Sequence, residues 1–254
     1  MSFRPLPPGL SEPPRPDPVC AVIARPTVAE ALSDLSEACK RKVSMAEIRL
    51  DLIRDAGDLG VFVKAATVPL VATARRKSDG GAWEGDEVAR RALLTKAVES
   101  GFAWIDVESD VIESFPRVAG EKRIVSFHDF SGVPADLESI YQSMARSDAD
   151  TLKVACLTHA PGEAARVLQL LVNAPKPTVA FGMGQVGQAS RLIQLKLGAP
   201  FTYAAVSAET AVAPGLFTIA QLQLNFGVRR VNASTRLFGV VGDPLGHKIG
   251  RAHV

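Results

Sequence analysis

The sequence predicts a (β/α)8 barrel, a closed ring of eight parallel strands surrounded by helices. Short β-rich runs alternate with stretches of helical periodicity from residue 19 onward, and this alternation is typical of parallel strands joined by helical crossovers. Eight such units in roughly 220 residues match the size of a barrel. Polar residues recur where the strands end, which is the face that carries barrel active sites. A doubly wound open sheet is the competing architecture, but it usually needs fewer strands.

The predicted strands lie, in chain order, at residues 19–24, 45–50, 69–74, 103–107, 123–128, 151–157, 177–181 and 201–206. The predicted helices lie between and after them, at residues 27–41, 57–65, 86–100, 134–147, 161–174, 187–197 and 217–224.

Composition and charge narrow the class of protein. The 254 residues carry a net charge of +2 and are 47% hydrophobic, so nothing indicates binding to nucleic acid or to an anionic membrane surface. No apolar run reaches the ~20 residues that span a bilayer, and the N-terminus lacks the apolar segment of a secretion signal. The three cysteines have no metal-ligand spacing. We therefore expect a cytoplasmic protein.

The second predicted strand has a charged face. Glu47, Arg49 and Asp51 share one phase of the two-residue repeat, and Ile48 and Leu50 share the other. If the apolar phase faces the helices, the charges point into the barrel. Buried ion pairs rarely repay their desolvation, so this pattern favours a site over a purely structural ion-pair layer.

A lysine lies within the sixth predicted strand, where its neighbours read as a buried run. Burial disfavours the charged form of a lysine and lowers its pKa, and such a lysine is the usual nucleophile for imine formation with a carbonyl compound. Taken alone, Lys153 is better explained as an edge-strand lysine that reaches solvent. His128 ends the fifth strand, and we expect the two side chains to face each other across one strand gap. Together they favour a catalytic pair.

The run after the seventh strand contains a glycine-rich motif. Gly182, Gly184 and Gly187 match the dinucleotide-binding fingerprint between a strand and a helix. That fingerprint usually opens the first βα unit and needs an acidic residue ~20 positions later at a strand end, whereas only Glu209, in a loop, is available here. We interpret the motif as a loop that turns over the site, and not as a dehydrogenase signature.

Several of these motifs together resemble type I 3-dehydroquinate dehydratase. The resemblance covers about residues 19–231 and rests on Glu-Ile-Arg-Leu-Asp at 47–51, Ser-Phe-His-Asp at 126–129, Lys-Val-Ala at 153–155, Gly-Met-Gly-Gln-Val-Gly-Gln-Ala-Ser-Arg at 182–191 and Ala-Pro-Gly at 213–215. It implies a lyase that dehydrates 3-dehydroquinate to 3-dehydroshikimate in the shikimate pathway. Lys153 would form a Schiff base with the substrate ketone, and His128 would move the protons. No metal or organic cofactor is implied, because the imine is the electron sink.

The same resemblance implies the binding residues. Arg191 would hold the substrate carboxylate, although a helix-surface arginine is the default for its position. Glu47, Arg49 and Arg75 would bind ring hydroxyls and orient the catalytic pair, and Asp79 stands in the loop after the third strand where the family usually has Glu. Other charged residues stay outside the predicted site: Asp51 as a structural partner of an arginine, Asp106 and Glu108 open between structure and function, and His159 as a loop residue.

This chain departs from the family in the loop after the eighth strand. The family usually has a Ser-Ala-Pro-Gly-Gln run there, and Val212 and Leu216 replace its two hydrogen-bonding side chains. Each lost hydrogen bond to a polar substrate weakens binding by about 0.5–1.5 kcal/mol. We expect the lysine chemistry to persist with impaired affinity or loop closure, or with a different substrate.

The ends of the chain predict further parts. Residues 1–18 hold seven prolines, typical of a disordered arm, and residues 19–232 form the predicted barrel. Residues 233–247 resemble the opening strand and turn of shikimate dehydrogenase, so we expect the natural chain to be a fusion with that enzyme, truncated here. Residues 248–254 match a translated sequencing adapter, which we interpret as an artefactual tail. Barrels of this family often pair, so a homodimer stays open.

Two rival functions remain. One is another lysine-imine barrel enzyme, such as a class I aldolase, which would cleave a carbon–carbon bond. The other is a catalytically weakened barrel that serves as the partner of a shikimate dehydrogenase domain, which the altered loop favours.

Overall fold

The computed structural model describes residues 17–118 and 120–237. Residues 1–16 of the predicted arm lie outside these ranges. So do residues 238–247 of the predicted dehydrogenase-like segment and the predicted artefactual tail at 248–254. None of the helices in the described ranges is both long enough and apolar enough to cross a bilayer.

Eight strands form one parallel sheet, and the prediction of a (β/α)8 barrel is confirmed. The strands are β1 Val19–Ile23, β2 Met45–Arg49, β3 Leu70–Thr73, β4 Trp104–Glu108, β5 Lys122–Asp129, β6 Thr151–Leu157, β7 Thr178–Met183 and β8 Thr202–Ala205. The helices are α1 Val28–Lys40, α2 Gly60–Ala65, α3 Glu87–Glu99, α4 Leu137–Arg146, α5 Pro161–Gln169, α6 Gly184–Gly187 and α7 Ser190–Lys196, followed by a π-helical turn, Gln221–Asn225.

The hydrogen-bonded order of the strands is β7-β6-β5-β4-β3-β2-β1-β8. In the described residues no backbone ladder joins β7 to β8, so the ring has one seam. The side chain of Gln194 on α7 bridges this seam: its amide oxygen accepts from the Ala180 N–H at 3.1 Å, and its amide nitrogen donates to Thr202 Oγ1 at 3.1 Å. Phe181 and Tyr203 make an edge-to-face contact across the same gap, with centroids 6.4 Å apart. A helix side chain thus supplies the polar contacts that a ladder would supply elsewhere.

Alternation along each strand sends one set of side chains to the helices and the other into the barrel. On β2, Ile48 is fully buried in the large core between sheet and helices, together with Leu35 of α1. The interior set forms a second, smaller core that includes Cys20 and Val179. The barrel is therefore packed on both faces of the sheet, and its polar residues lie above the inner core.

Helix boundaries differ from the sequence prediction where local capping intervenes. The predicted helix at 57–65 begins only at Gly60, because the Asp58 carboxylate accepts from the Gly60 N–H at 2.8 Å and holds the preceding residues in a turn. The predicted helix at 187–197 is the shorter α7, Ser190–Lys196, and a separate short helix, α6, ends at Gly187. The break follows Gly187, which lies so close to Gly182 that a side chain at Gly187 would approach the Gly182 carbonyl to 2.5 Å.

Asp17 differs from the disordered arm in which the sequence analysis placed it. Its side chain is buried, and Oδ2 accepts from Gln223 and from Arg229 Nη2, the latter at 2.9 Å. This carboxylate, just before β1, therefore joins the first strand to the C-terminal turns.

Candidate active site

A cavity of about 90 Å³ opens at the C-terminal ends of the strands. It brings together all the site residues predicted from the sequence: Glu47, Arg49, Arg75, Asp79, His128, Lys153 and Arg191. Its remaining wall consists of Val22, Gly80, Phe130, Ala155, Phe181, Met183, Tyr203, Val212, Ala213 and Leu216. Charged residues thus line one part of the cavity and apolar residues the other.

Lys153 lies at the base of the cavity and is only 6% exposed. Its Nζ donates to Asp106 Oδ2 at 3.0 Å and lies 3.8 Å from Glu47 Oε1. The ring of Tyr203 lies beneath the same nitrogen, 4.3 Å from it. Two carboxylates and an aromatic ring therefore surround the amine, and only an unprotonated Nζ can attack a carbonyl carbon.

Lys153 belongs to a buried set of alternating charges that we call the charge cluster: Lys153, Glu47, Asp106, Arg75, Glu108 and Arg90. Arg75 contacts Asp106 at 2.7 Å and Glu108 at 2.8 Å, and Arg90 of α3 contacts the other Glu108 oxygen. Burial opposes the charge on Arg75, but Asp106 and Glu108 raise its pKa above the ordinary arginine value. The cluster holds three cations and three anions, which is why charge is tolerated inside the barrel.

His128 stands diagonally to Lys153 and not directly opposite it. In the register of β5 and β6, Ser126 pairs with Lys153 and His128 with Ala155, which places His128 two residues closer to the cavity mouth on the same face. Burial, with the nearby cations Arg75 and Lys153, lowers the pKa of His128 well below 6.5. The imidazole is therefore neutral at physiological pH and can accept a proton.

The imidazole of His128 keeps one ring nitrogen without a partner. Nδ1 is buried and has no hydrogen-bond partner in the described residues. The ring lies nearly parallel to that of Phe130, with 12° between the planes and 6.4 Å between centroids. Phe130 in turn covers Gly80, where a side chain would come within 2.2 Å of the Phe130 ring.

Arg191 presents a buried positive charge with no acidic partner in the described residues. It is 2% exposed, its Nε has no hydrogen-bond partner, and its guanidinium stacks 4.1 Å above the Phe181 ring. Burial alone lowers the pKa of Arg191 to about 10. An uncompensated guanidinium beside a cavity is suited to bind a carboxylate through two parallel hydrogen bonds.

Glu47 and Arg49 are already engaged by neighbouring side chains. Glu47 accepts from the Thr73 hydroxyl at 2.8 Å. Arg49 makes a two-point ion pair with Asp51, at 2.9 and 2.6 Å, and this pairing raises the Arg49 pKa although burial opposes it. Asp51 also accepts from the Ala82 N–H at 3.0 Å, so it ties the end of β2 to the loop after β3, as a structural partner of an arginine.

Asp79 lies on the rim of the cavity, and its carboxylate is held away from the centre. Oδ2 accepts from Arg76 Nε at 2.8 Å and from the Ser78 hydroxyl at 2.7 Å. Arg76 also binds Asp110 through both oxygens. Asp79 thus lines the site with one carboxylate oxygen, Oδ2, already bound.

The loop after β8 covers the cavity with Val212, Ala213 and Leu216. Gly215 has φ +77°, and a side chain there would meet the Gly184 carbonyl at 2.6 Å, so only glycine fits. Gly184 thus packs against this loop, and Gly182 and Gly187 pack against each other, so the glycine-rich turn after β7 has a packing role.

Sequence reasoning left several of these residues unassigned. Asp106 contacts the lysine, and Ser126 donates to Asp106 Oδ1 at 2.6 Å. The signal for Asp106 was its strand phase, because it points inward with Glu108. Tyr203 gave no signal, since an aromatic residue in a strand is usually core.

The family model described as type I 3-dehydroquinase matches residues 19–232. The chain is 33% identical over 215 residues to a 3-dehydroquinate dehydratase of Dehalococcoides mccartyi, covering 81% of this chain and 92% of that protein. It is 30% identical over 240 residues to the chloroplastic bifunctional 3-dehydroquinate dehydratase/shikimate dehydrogenase of Arabidopsis thaliana, covering 90% of this chain and 40% of that protein. A 3-dehydroquinate dehydratase of Pyrobaculum aerophilum is 35% identical over 192 residues, with coverages of 73% and 63%. The chain thus spans well under two thirds of the Arabidopsis relative's length.

Solved structures show the same fold. The type I 3-dehydroquinate dehydratase of Clostridium difficile superposes with a TM-score of 0.74 at 22% identity, covering 85% of this chain and 94% of that chain. The dehydroquinate dehydratase and shikimate dehydrogenase structure from S. pombe gives 0.69 at 22% identity, with coverages of 84% and 45%. With the barrel, the cavity and the sequence matches in agreement, this chain belongs to the type I 3-dehydroquinase family.

Proposed function

We propose that this chain dehydrates 3-dehydroquinate to 3-dehydroshikimate through an imine on Lys153, in the shikimate pathway. One observation carries the proposal: a buried lysine, a neutral histidine and an unpaired arginine line the same cavity. These groups supply a nucleophile, a proton acceptor and a carboxylate receptor. The family membership and the dehydratase relatives support the same reaction.

The first step is imine formation. Lys153 Nζ loses a proton, and His128, which is neutral and stands two residues further along the same face, is the nearby proton acceptor. The nitrogen lone pair adds to the ketone carbon, and the carbinolamine expels one water molecule to give a protonated imine. That cation withdraws electrons from the adjacent carbon, which acidifies its C–H bond.

The second step is elimination. His128 takes the proton from the acidified carbon, the electron pair forms the carbon–carbon double bond, and the hydroxyl leaves as water after receiving a proton from His128. A second water molecule then hydrolyses the imine and releases the product and free Lys153. The water lost in imine formation is regained in hydrolysis, so the net change is loss of one water from the substrate.

Binding would divide between the walls of the cavity. Arg191 would receive the substrate carboxylate, because its charge has no other acidic partner in the described residues. Arg49, Arg75 and Glu47 would face the ring hydroxyls, with orientations fixed by their ion pairs and hydrogen bonds. Asp79 would contribute from the rim only if substrate displaces its contact with Arg76.

Borohydride reduction in the presence of 3-dehydroquinate tests the proposal. We expect mass spectrometry to find a stable adduct on the peptide that contains Lys153, and formation of the conjugated product to be detected by its ultraviolet absorbance. Lys153→Met keeps the length of the side chain without the amine and should give neither. Lys122→Met removes a lysine whose ammonium lies over the exposed side of Trp104, and should behave like the original chain. An adduct on another lysine, or turnover by Lys153→Met, would contradict the proposal.

The apolar covering loop favours a second candidate, a barrel of weak activity that serves as partner of a shikimate dehydrogenase domain. Val212 and Leu216 line the cavity without hydrogen-bonding groups. If affinity is limited by this loop, the Val212→Ser, Leu216→Gln double variant should lower KM for 3-dehydroquinate. An unchanged KM together with negligible turnover in both chains would favour the partner role.

The fusion, a homodimer and a cytoplasmic location belong to the same proposal. The Arabidopsis and S. pombe relatives join the two activities in one chain, which supports a fusion for this chain as well. Cys20, Cys39 and Cys156 are free thiols, which fits a reducing compartment. The homodimer stays a prediction from the family resemblance, and sedimentation of the purified chain measures it.

A further inference from the structure

Two carboxylates and an aromatic ring lie close to the nitrogen of Lys153. Asp106 Oδ2 lies 3.0 Å away, Glu47 Oε1 3.8 Å away and the Tyr203 ring centre 4.3 Å away. The lysine is 6% exposed and the Asp106 side chain 0%, so little solvent screens these contacts.

Asp106 is the closer and the more firmly held of the two carboxylates. Ser126 donates to its Oδ1 at 2.6 Å, and Arg75 Nη2 approaches its Oδ2 to 2.7 Å. The Glu47 oxygen that approaches the lysine is also the acceptor for the Thr73 hydroxyl at 2.8 Å. Each carboxylate shares the oxygen nearest the lysine with a second donor, but Asp106 is also fixed through its other oxygen by Ser126 and lies closer to Nζ.

Asp106 remains ionised at physiological pH. Burial by itself would raise the Asp106 pKa, but the cations Arg75 and Lys153 and the hydrogen bond from Ser126 hold it well below the ordinary aspartate value. A carboxylate with so low a pKa is a poor proton donor or acceptor for catalysis. Its constant negative charge is what it offers to the site.

The charge of Asp106 acts on the imine as it acts on the lysine, because the ammonium and the protonated imine carry their positive charge on the same nitrogen. Replacing Nζ–H3+ by a protonated imine leaves the site with the same single positive charge, so the balance of the charge cluster is kept. A neutral imine would leave Asp106 and Glu47 undercompensated. Burial disfavours a cation unless an anion lies beside it, and the electron sink exists only while the imine carries its proton.

We propose that Asp106 is a catalytic residue of this site, the counter-ion that keeps the Lys153 imine protonated, assisted by Glu47 and the Tyr203 ring. This inference rests on the imine chemistry of the proposed function. It gives Asp106 a part in maintaining the electron sink, which is the protonated imine. Glu108, which does not contact Nζ, balances the charge of Arg75, and Arg90 in turn balances Glu108.

The pH dependence of borohydride trapping tests the role, because borohydride reduces the protonated imine. For each variant, the adduct yield with 3-dehydroquinate is measured from neutral to alkaline pH and expressed relative to the original chain at the same pH. Asp106→Asn removes the charge with little change of shape. We expect its half-maximal trapping to move down by at least about one pH unit, a tenfold loss of proton affinity, together with a fall in kcat.

Two matched variants separate contact from general charge. Glu108→Gln removes one negative charge from the same cluster without touching Nζ, and Ser126→Ala removes a hydrogen bond to Asp106 while keeping its charge. Both should shift the profile less than Asp106→Asn. A profile for Asp106→Asn that coincides with the original chain, or an equal shift for Glu108→Gln, would overturn the counter-ion role.

Failure of this inference is distinguishable from failure of the reaction. If the unaltered chain forms no adduct at all, the proposed function fails; if it forms one whose pH profile ignores Asp106, only the counter-ion role fails. Nitrogen-15 NMR of the unaltered chain, labelled at lysine Nζ and bound to product, covers the case in which Asp106→Asn does not fold. An imine that is unprotonated at neutral pH in that spectrum would also overturn the role.

Discussion

Lys153 and Arg191 are both buried at the cavity, but only Lys153 has an acidic partner in the described residues. Lys153 loses water but gains Asp106 at 3.0 Å, whereas Arg191 loses water and gains only the face of Phe181. An unpaired buried charge costs stability, and a ligand of opposite charge recovers that cost on binding. In the proposed function, Arg191 would bind the substrate carboxylate, and its unpaired charge lowers the stability of the folded chain.

Replacing Arg191 tests this trade directly. We expect Arg191→Met to leave the melting temperature unchanged or raise it, because the buried charge disappears. Hydrogen bonds to charged groups contribute about 1.5–3 kcal/mol, so kcat/KM for 3-dehydroquinate should fall roughly 10- to 150-fold.

The control for Arg191 is an arginine outside the site. Arg166 on α5 binds Glu138 at the surface, and Arg166→Met should change kcat/KM little. A destabilised Arg191→Met with intact kcat/KM would show that the guanidinium has a structural role.

His128 makes stability depend on pH in a definite direction. The pKa of His128 in the folded chain lies below its value of about 6.5 in the unfolded chain. As the pH falls below that value, His128 therefore binds a proton in the unfolded chain but not in the folded chain. Stability rises with pH where the unfolded state binds more protons, hence the free energy of unfolding should fall on acidification through this window.

A variant without the titrating ring isolates the effect. His128→Gln should lose less stability than the original chain between about pH 7 and pH 5 in urea denaturation. Parallel curves for the two chains would mean that the folded and unfolded histidine titrate alike. The acid limb of kcat/KM should also lie below the ordinary histidine pKa.

At the scale of elements, the seam between β7 and β8 depends on α7. Gln194 is fully buried and satisfies the Ala180 N–H and the Thr202 hydroxyl. Ser190, one turn earlier, accepts from the Gly182 N–H at 2.8 Å. These contacts hold both edge strands beside the cavity wall that Phe181 and Tyr203 provide.

Gln194→Leu keeps the volume and removes both hydrogen bonds. A buried donor left without a partner costs about 1–3 kcal/mol, so we expect a loss of that order per group in the free energy of unfolding. Gln142 on α4 is exposed, and Gln142→Leu should change stability by less than about 0.5 kcal/mol. Equal stabilities of the two variants would show that the seam is held by packing alone.

At the scale of the whole molecule, the barrel divides into two cores and a charged layer. The outer core packs the sheet against the helices, and the inner core fills the barrel and reaches the cavity wall at Phe181 and Met183. The charge cluster reaches the same cavity through Glu47, Arg75 and Lys153. Arg90 reaches from α3 to Glu108 and so joins the outer ring of helices to the interior charges.

Closure of the whole chain also involves Asp17. Its buried carboxylate binds Arg229 and Gln223, so Asp17→Ala should lower the free energy of unfolding by about 1–3 kcal/mol. Asp148 forms an exposed ion pair with Arg117, and Asp148→Ala should cost about 0–1 kcal/mol. If Asp17→Ala is as stable as Asp148→Ala, the contacts of Asp17 with Arg229 and Gln223 do not stabilise the fold.

The sequence by itself determined the strand order along the chain and the inward phase of Glu47, because period-two patterning is a local property. Its resemblance to the dehydratase family implied seven of the residues that line the cavity. The tertiary structure decided what local pattern cannot encode. It paired Asp106 with Lys153, left Arg191 unpaired, turned Asp79 toward Arg76 and opened a seam that Gln194 bridges. Charge balance and hydrogen bonding depend on which strands and loops become neighbours, and residues 47 positions apart meet only when the barrel closes.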